Sequence, residues 1–221
     1  MTIKHHPGDG LLLDYVTGSL GEVASLAVAV HLALCPECRR QVNLMEAVGG
    51  SLLNTFPDEA LKEEVFGNVL EQINSDREVL TPVRSNDVST EAEFRIFPSP
   101  LPRYLFENGK SLQWRWIGFG INQIVISTSS DGNVARLMRI ESGRSVPSHS
   151  HRGVELTLVL SGSFYDQTGS YARGDMQVVD ETIDHDPRAE HGVDCICLVV
   201  TEGPLRFNSL VGKVAQPFVG I

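Results

Sequence analysis

One stretch of the chain reads Gly143-Arg-Ser-Val-Pro-Ser-His149-Ser-His151-Arg-Gly-Val-Glu155-Leu-Thr-Leu-Val-Leu-Ser-Gly162. His149 and His151 are two residues apart, so in a β-strand both rings lie on the same face. Glu155 opens the next apolar run, and a further histidine, His185, lies downstream. Three imidazoles and one carboxylate suit divalent first-row metals such as Zn, Fe, Mn or Ni. The stretch therefore predicts a metal site in a β-structure. The alternative, a set of surface histidines on a loop, fits the glycine spacing less well.

Short β-rich runs surround this stretch and are separated by Gly, Asp and Asn turns. In chain order they are Trp114-Arg-Trp-Ile, Gln123-Ile-Val-Ile-Ser, Val134-Ala-Arg-Leu-Met-Arg-Ile, Leu156 to Leu160, Met176 to Val179, Cys195 to Val200 and Leu205-Arg-Phe. Regular short strands favour a sandwich or a barrel. Cys195 and Cys197 share one face of their strand. We predict packed thiols there, because an extended strand holds such Cβ atoms too far apart for an unstrained disulfide.

A second metal-binding pattern lies upstream, where the chain reads His31-Leu-Ala-Leu-Cys35-Pro-Glu-Cys38. The proline favours the first position of a helix, so the imidazole and the two thiols lie within a turn of one another. A closed structural zinc site takes four ligands of these types, and His5 and His6 are both candidates for the fourth. The alternative is two buried free thiols beside a satisfied histidine, which this spacing favours less.

Hydrophobic periodicity predicts helices in the N-terminal part of the chain. The periodic segments are Leu11 to Val16, Glu22 to Leu34, Pro36 to about Thr55 and roughly Asp58 to Asp76. The fourth segment has more apolar positions than one narrow stripe needs. Such residues are more often buried in a core, so we expect positions 61, 65, 69 and 73 to face the first three helices. The alternative is an exposed apolar strip, including Phe66 and Leu70, that binds a partner.

Composition is ordinary for a folded protein of 221 residues, with 42% hydrophobic and 21% charged residues. This length allows two small domains with separate cores. Several prolines break the helical pattern after residue 77, so the predicted division is a domain at 1–80, a linker at 81–100 and a domain at 101–221. The chain has no apolar run long enough for a membrane span and no signal peptide. With only four cysteines, we expect a reducing cytoplasm and no disulfide framework.

The net charge of -10 is unevenly distributed along the chain. Residues 1–80 contain five basic side chains against twelve acidic ones. Binding to nucleic-acid phosphates requires the opposite sign, so direct nucleic-acid binding is not expected. An acidic module suits a basic protein partner instead. The alternative is a surface that its charge merely keeps soluble.

Together these motifs resemble the ChrR family of zinc-binding anti-sigma factors, which carry a C-terminal cupin domain. The stretch from Gly143 to Gly162 matches the first cupin motif. The second cupin motif is partly kept, because Gly174 and His185 are present while the usual Pro-x-Gly turn and terminal Asn are not evident. The resemblance spans nearly the whole chain and includes Ala47-Val-Gly-Gly-Ser-Leu, Arg152-Gly-Val-Glu-Leu-Thr-Leu-Val-Leu, Asp194-Cys-Ile-Cys-Leu and Gln216-Pro-Phe.

The resemblance implies a multidomain fold, α then all-β. A four-helix zinc-binding anti-sigma domain would precede a cupin domain, which is a jelly-roll-like β-barrel. It implies one zinc ion in the N-terminal domain, with His6 preferred to His5, on His6, His31, Cys35 and Cys38. It also implies a divalent metal in the cupin domain, with zinc favoured, on His149, His151, Glu155 and His185.

The resemblance further implies what the chain does. It would sequester an extracytoplasmic-function-type sigma factor and release it when the cupin domain senses singlet oxygen or an organic peroxide. The alternative is a cupin metalloenzyme, such as a dioxygenase or an isomerase, in which an open metal site activates oxygen or substrate. A free-standing enzyme has no need of an acidic helical zinc module, so we predict a regulator and assign no catalytic residues.

Overall fold

The computed structural model describes residues 2–58, 60, 62, 64–75, 97–106, 113–130, 132–203 and 206–207. Within these residues, helices come first and strands follow. The helices are α1 (Asp9–Thr17), α2 (Glu22–Leu34), α3 (Pro36–Leu53), α4 (Glu64–Ser75) and α5 (Leu101–Phe106). The strands are β1 (Arg115–Gly118), β2 (Ile121–Thr128), β3 (Val134–Ile140), β4 (His149–Ser150), β5 (Glu155–Ser161), β6 (Ser163–Asp166), β7 (Gly169–Ala172), β8 (Met176–Val179), β9 (Arg188–Ala189), β10 (Cys195–Thr201) and β11 (Arg206–Phe207). The predicted order, α then all-β, is confirmed.

The β-part is built from antiparallel strands in three sheets. The six-stranded sheet has the order β1-β2-β3-β10-β5-β8, the three-stranded sheet β7-β6-β9 and the two-stranded sheet β11-β4. The larger two sheets enclose an interior cluster that includes Met138, Phe164 and Val199. Strands β6, β7 and β9 were not among the runs predicted from the sequence.

Helix α2 packs on the outer face of the six-stranded sheet. Val23, Leu26 and Val30 belong to the same buried cluster as Leu158 on β5 and Leu198 on β10. The opposite side of α2 packs with α1 and α3 in a smaller cluster. The expectation of separate cores is therefore wrong. Helix α2 is apolar around most of its circumference, and the barrel sheet covers the face that α1 and α3 leave open.

Helix α4 differs from the other N-terminal helices, because none of its residues is buried. It begins at Glu64, and Asp58, Ala60 and Lys62 are not helical. Its apolar side chains lie in solvent, with Phe66 72% exposed. The expectation of core packing is therefore wrong for positions 65, 69 and 73, whereas Leu61 lies outside the described residues. The prediction for the 81–100 linker also lies mostly outside them.

No single described helix is long and apolar enough to cross a membrane. The pair α1 and α2 reaches the required length and composition only together, with a bend of 112° between them. Seven residues of α2 are buried against the rest of the protein, and that burial accounts for its apolar composition.

Candidate metal centres

The four predicted cupin-domain ligands come together at one end of the barrel. His149 lies on β4, His151 follows that strand, and Glu155 is the first residue of β5. His185 is brought in by a backbone pair, because the His149 N–H donates to the His185 carbonyl at 3.1 Å and the His185 N–H donates to the His149 carbonyl at 3.0 Å. All four residues are buried.

The possible ligand atoms of this cluster lie within 4.8 Å of one another. Two ring nitrogens lie close together, because His151 Nε2 is 2.8 Å from His185 Nε2. His151 Nδ1 is 3.3 Å from Glu155 Oε2, but it has no hydrogen-bond partner in the described structure. One unpartnered ring nitrogen among converging ligand atoms in a buried site is the arrangement expected beside a cation.

Neighbouring acceptors fix the tautomers of two of these histidines. His149 Nδ1 donates to the Pro147 carbonyl at 2.8 Å, and His185 Nδ1 donates to Asp166 Oδ2 at 3.0 Å. Each ring therefore keeps the Nε2 lone pair for a metal, as in carboxylate–histidine–metal arrangements. Sequence reasoning missed Asp166, because nothing in its local pattern separates it from an ordinary turn aspartate.

Burial keeps the imidazoles of His149 and His151 neutral. It lowers the pKa of His149 to about 4, with the His185 ring adding to the effect. It lowers the pKa of His151 to about 3, with the His149 ring adding. Burial also raises the pKa of Glu155, against the opposing effects of His185 and the Thr157 hydroxyl. Neutral imidazoles beside a carboxylate form a set that can hold a divalent metal ion.

The second predicted cluster lies where α2 meets α3. His31 is in the last turn of α2, Cys35 is the residue between the helices, and Cys38 is in the first turn of α3. His6 Nδ1 is 3.4 Å from Cys35 Sγ and 3.3 Å from Cys38 Sγ, and His31 Nε2 is 3.3 Å from Cys38 Sγ. The four possible ligand atoms lie within 4.8 Å of one another.

The N-terminal strap, residues 3–6, delivers His6 to this cluster and is attached to the barrel. The Lys4 and His5 amides donate to Asp175 Oδ1 at 2.6 and 3.0 Å. The Met176 amide, at the start of β8, donates to the His5 carbonyl at 3.0 Å. The His5 ring lies against Tyr171, with 4.4 Å between ring centroids. His6, not His5, therefore faces the cysteines.

The electrostatics of this cluster also favour a cation. Burial lowers the pKa of His31 to about 4, and the nearby His6 ring adds to that shift. Burial raises the pKa of Cys38 to about 12, with Cys35 as the next cause. Two thiols and two imidazoles match the donor set of closed structural zinc sites.

Cys195 and Cys197 lie on β10 outside both clusters. Both are buried free thiols, with 3.5 Å between their sulfur atoms. The contact with Cys195, together with burial, raises the pKa of Cys197 well above its usual value. The prediction of packed, unbridged thiols is confirmed.

The fold and the two clusters define a class of protein: a helical His/Cys module built onto a cupin-like barrel with its own His/Glu cluster. A family model described as the ChrR cupin-like domain matches residues 106–206. The anti-sigma-E factor ChrR of Cereibacter sphaeroides is 42% identical over 221 residues, which is 100% of both chains. This chain belongs to the ChrR family of anti-sigma factors, as the resemblance predicts.

One solved structure agrees with the family. ChrR in the crystal structure of Rhodobacter sphaeroides SigE in complex with the anti-sigma ChrR matches with a TM-score of 0.74 and 40% identity. That match covers 90% of this chain and 99% of that one. An RmlC-like cupin of Ralstonia eutropha is 21% identical over 46% of this chain and 74% of its own, with a TM-score of 0.38. A similarity that low carries nothing about function.

Proposed function

We propose that this chain is a zinc-dependent anti-sigma factor that sequesters an extracytoplasmic-function-type sigma factor in the cytoplasm. The helical module would hold one zinc ion on His6, His31, Cys35 and Cys38. The observation that carries the proposal is an apolar surface on α3 and α4 that no described part of the chain covers. In the related crystal structure, ChrR is in complex with SigE, and we assign a partner of the same kind here.

The α3 part of this surface is a row of side chains at helical spacing. Leu44, Val48 and Leu52 lie four residues apart on α3, and Phe56 continues the row just beyond the helix. They are 68%, 57%, 60% and 68% exposed, respectively. Residues at this spacing share one face of a helix. A continuous apolar row in solvent is typical of a surface that binds a partner.

Helix α4 adds a second apolar face. Phe66 and Ile73 are 72% and 62% exposed, and Val69 is 46% exposed. A helix of this kind is stabilised mainly by the surface onto which it packs, so α4 gains most of its burial in a complex. The acidic excess of residues 1–80 favours a partner with a basic surface through complementary fields.

The zinc ion would act as a structural element in this scheme. His6 comes from the strap, His31 from α2, and the two cysteines from the α2–α3 junction, so a single ion ties these segments together. Zinc accepts such a mixed set in tetrahedral geometry and contributes its binding energy to folding. The direction of α3, and with it the apolar row, then depends on the metal.

The cupin domain would supply the response to the signal. We assign a divalent metal there, with zinc favoured, to His149, His151, Glu155 and His185. The signal expected from the family resemblance is singlet oxygen or an organic peroxide. We propose no catalytic turnover, because the helical module gives the barrel a regulatory output. Sustained consumption of an organic substrate by the purified metal-bound chain would favour the metalloenzyme alternative.

Sigma-factor binding is tested with single charges in the apolar surface. Leu52→Asp and Phe66→Asp should each weaken binding at least tenfold, which corresponds to about 1.4 kcal/mol. Both side chains are exposed, so the free energy of unfolding should change by no more than about 0.5 kcal/mol. Isothermal titration calorimetry, with full-length chain and a sigma factor of this type from the same genome, measures the affinity.

Val193→Asp is the matched control, because Val193 is 64% exposed but lies on the barrel. Its affinity for the sigma factor should equal that of the unchanged chain. Equal weakening by all three variants, or no weakening by any of them, would place the sigma-binding surface elsewhere.

A further inference from the structure

The N-terminal strap rests on the strap seat, residues 174–176, where the chain enters β8. Gly174 has a φ of 93°, and a Cβ atom at this position would lie 2.6 Å from the Ile3 side chain. The strap therefore packs against a position that glycine leaves open. Asp175 is buried and accepts two strap amides through Oδ1. Since His6 is the last strap residue, the seat determines where this proposed zinc ligand lies.

The strap seat also contacts a second member of the N-terminal cluster. The Gly174 backbone interacts with the His31 ring, and the Asp175 carboxylate acts on that ring electrostatically. Groups around a metal site orient its ligands and tune its affinity. Two of the four proposed ligands, His6 through the strap and His31 directly, thus have barrel residues as their surroundings.

Strand β8 connects the strap seat to the cupin cluster. Gln177 directly follows the seat on β8 and is 2% exposed. Its Nε2 atom donates to Asp166 Oδ2 at 2.8 Å and to Thr168 Oγ1 at 2.7 Å. Asp166 Oδ2 also accepts from His185 Nδ1 at 3.0 Å. One carboxylate oxygen therefore joins a ring of the cupin cluster to the strand that holds the strap.

Backbone hydrogen bonds fix the strap seat to β5 as well. The Gly174 N–H donates to the Val159 carbonyl at 2.8 Å, and the Val159 N–H donates to the Asp175 carbonyl at 3.0 Å. Glu155, a proposed cupin ligand, begins the same strand. Close-packed protein interiors transmit strain, so a change in the position of the cupin ligands reaches the seat.

We propose that the two metal clusters are coupled through β8, so that metal binding at the cupin cluster raises the zinc affinity of the N-terminal cluster. The strap is the element with two states. Docked on the seat, it presents His6 to the cysteines, and undocked, it withdraws that ligand. His185, when it ligates an ion, is fixed together with Asp166 and Gln177, which keeps the seat formed. This inference rests on the proposed occupancy of both clusters and goes beyond it, because occupancy alone does not require the ions to affect each other.

Cobalt(II) binding to the full-length chain tests the coupling. Of the two clusters, the N-terminal one alone contains cysteines, so thiolate-to-cobalt absorption reports on that cluster, while mass spectrometry measures total bound cobalt. His151→Ala weakens the cupin cluster without removing His185, Asp166 or Gln177. A chelator buffer sets the free cobalt so that the cupin cluster is full in the unchanged chain and empty in the variant. The N-terminal affinity for cobalt should then be about fivefold lower in the variant, at the low end of measured couplings between sites.

The reverse effect provides a second measurement. Cys38→Ser should empty the N-terminal cluster, and the affinity of the cupin cluster for cobalt should fall by the same factor, because coupling between two binding sites is reciprocal. Circular dichroism establishes that the barrel is folded under the conditions of the titration. An unchanged affinity of the cupin cluster in Cys38→Ser would overturn the coupling.

Gln177→Met, made with and without His151→Ala, assigns the coupling to β8. Methionine keeps much of the side-chain volume but has no amide donor, so the N-terminal affinity should no longer depend on the cupin cluster. Thr157→Val is the matched control. Thr157 pairs with Gln177 across the strands and its hydroxyl donates to Glu155, so the variant disturbs a cupin ligand but leaves the Gln177 bonds in place. It should keep the full coupling.

Failure of the proposed occupancy and failure of the coupling give different results. Fewer than two bound cobalt ions in the unchanged chain, or no thiolate absorption, would refute the occupancy and the coupling with it. Two bound ions, with equal N-terminal affinity in the unchanged chain and His151→Ala, would refute the coupling alone. Full coupling in Gln177→Met would refute the route through β8. If Gln177→Met fails to fold, Asp175→Asn breaks the same connection at the seat, and full coupling in that variant would refute the route.

Discussion

The two four-residue clusters differ in how the chain assembles them. The N-terminal cluster (His6, His31, Cys35 and Cys38) draws its members from the strap, the end of α2 and the start of α3. These segments meet only in the folded protein. The His149/His185 cluster lies on and beside short antiparallel strands, and backbone pairing brings His149 and His185 together. We infer that a metal contributes more to folding at the first cluster than at the second.

The surroundings of the two clusters differ as well. The N-terminal cluster combines sulfur and nitrogen donors, the set of closed structural sites. The cupin cluster combines nitrogen and oxygen donors, and two of its members, His149 and Glu155, line a small, mostly apolar cavity inside the barrel. A closed cluster suits the maintenance of a binding surface. A cluster beside a cavity suits a response to a small molecule.

The two clusters are nevertheless connected by a short chain of contacts. The strap next to His6 bonds to Asp175 and Met176 at the start of β8. One residue further, Gln177 donates to Asp166 Oδ2 at 2.8 Å, and Asp166 in turn accepts from His185. The Asp175→Asn variant tests this connection by measurement rather than by proximity.

The largest expected effect follows from breaking the N-terminal cluster. Cys38→Ser should remove zinc from this cluster and abolish sigma-factor binding. Structural zinc contributes about 10–16 kcal/mol in small zinc-binding modules, so loss of even a third of that should lower the melting temperature by about 10 °C or more. Metal analysis of the full-length variant, circular dichroism and calorimetry measure the three consequences.

Cys195→Ser is the control for this prediction, because it also replaces a buried thiol but lies outside both clusters. It should keep the full zinc content and sigma-factor binding. A Cys38→Ser protein that retained its zinc and melted at the original temperature would contradict the structural role assigned to the ion.

The sequence predicted the members of both clusters better than it predicted their surroundings. Ligand spacing such as H-x-H and H-x3-C-x2-C is local, so it can be read directly from the chain. Asp166 could not be found in this way, because its role arises from a tertiary contact with His185 across the barrel. The choice between His5 and His6 likewise depends on Tyr171 and Asp175, which are distant in sequence.

The fold shows the same division between local and tertiary information. The limits of α2 follow from its periodicity and were predicted correctly. Its attachment to the barrel was not, since an apolar pattern gives the amount of buried surface but not the element that buries it. The exposure of α4 is the converse case. Its apolar stripe reads as core because a sequence does not distinguish burial within the chain from burial against a partner.

A smaller effect is expected when the cupin cluster loses its positioning carboxylate. Hydrogen bonds from His185, Thr168 and Gln177 hold the pKa of Asp166 well below its usual range, although burial acts to raise it. Asp166 is therefore ionised at neutral pH and orients the His185 ring. Asp166→Asn should weaken the cupin metal about 10–100-fold, which is typical of such outer partners, and leave the N-terminal zinc in place. Competition with a chelator measures both affinities.

Asp180→Asn is an unusually close control for Asp166→Asn. Asp180 accepts the amide and hydroxyl of Thr182, just as Asp166 accepts those of Thr168, but it is exposed. Its replacement should leave metal affinity unchanged. Equal losses in the two variants would show that the turn, not the contact with His185, determines the affinity.

The smallest change in metal affinity is expected at the connection between the clusters. Asp175 is 3% exposed and accepts the Lys4 and His5 amides through Oδ1 and the Ala172 amide through Oδ2 at 2.9 Å. Asp175→Asn removes the charge and replaces one acceptor with a donor. The free energy of unfolding should therefore fall by about 1–3 kcal/mol. Zinc affinity of the N-terminal cluster should fall less than tenfold, because the variant loosens the strap while leaving all four proposed ligands present. Hydrogen exchange should accelerate at the amides of residues 4 and 5.

Asp194→Asn is the control. It loses bonds to Arg139 and Ser142 within the barrel and should not alter hydrogen exchange at residues 4 and 5. If exchange at residues 4 and 5 is unchanged in Asp175→Asn, the strap is held by the metal cluster alone, and the two clusters are less connected than their contacts suggest.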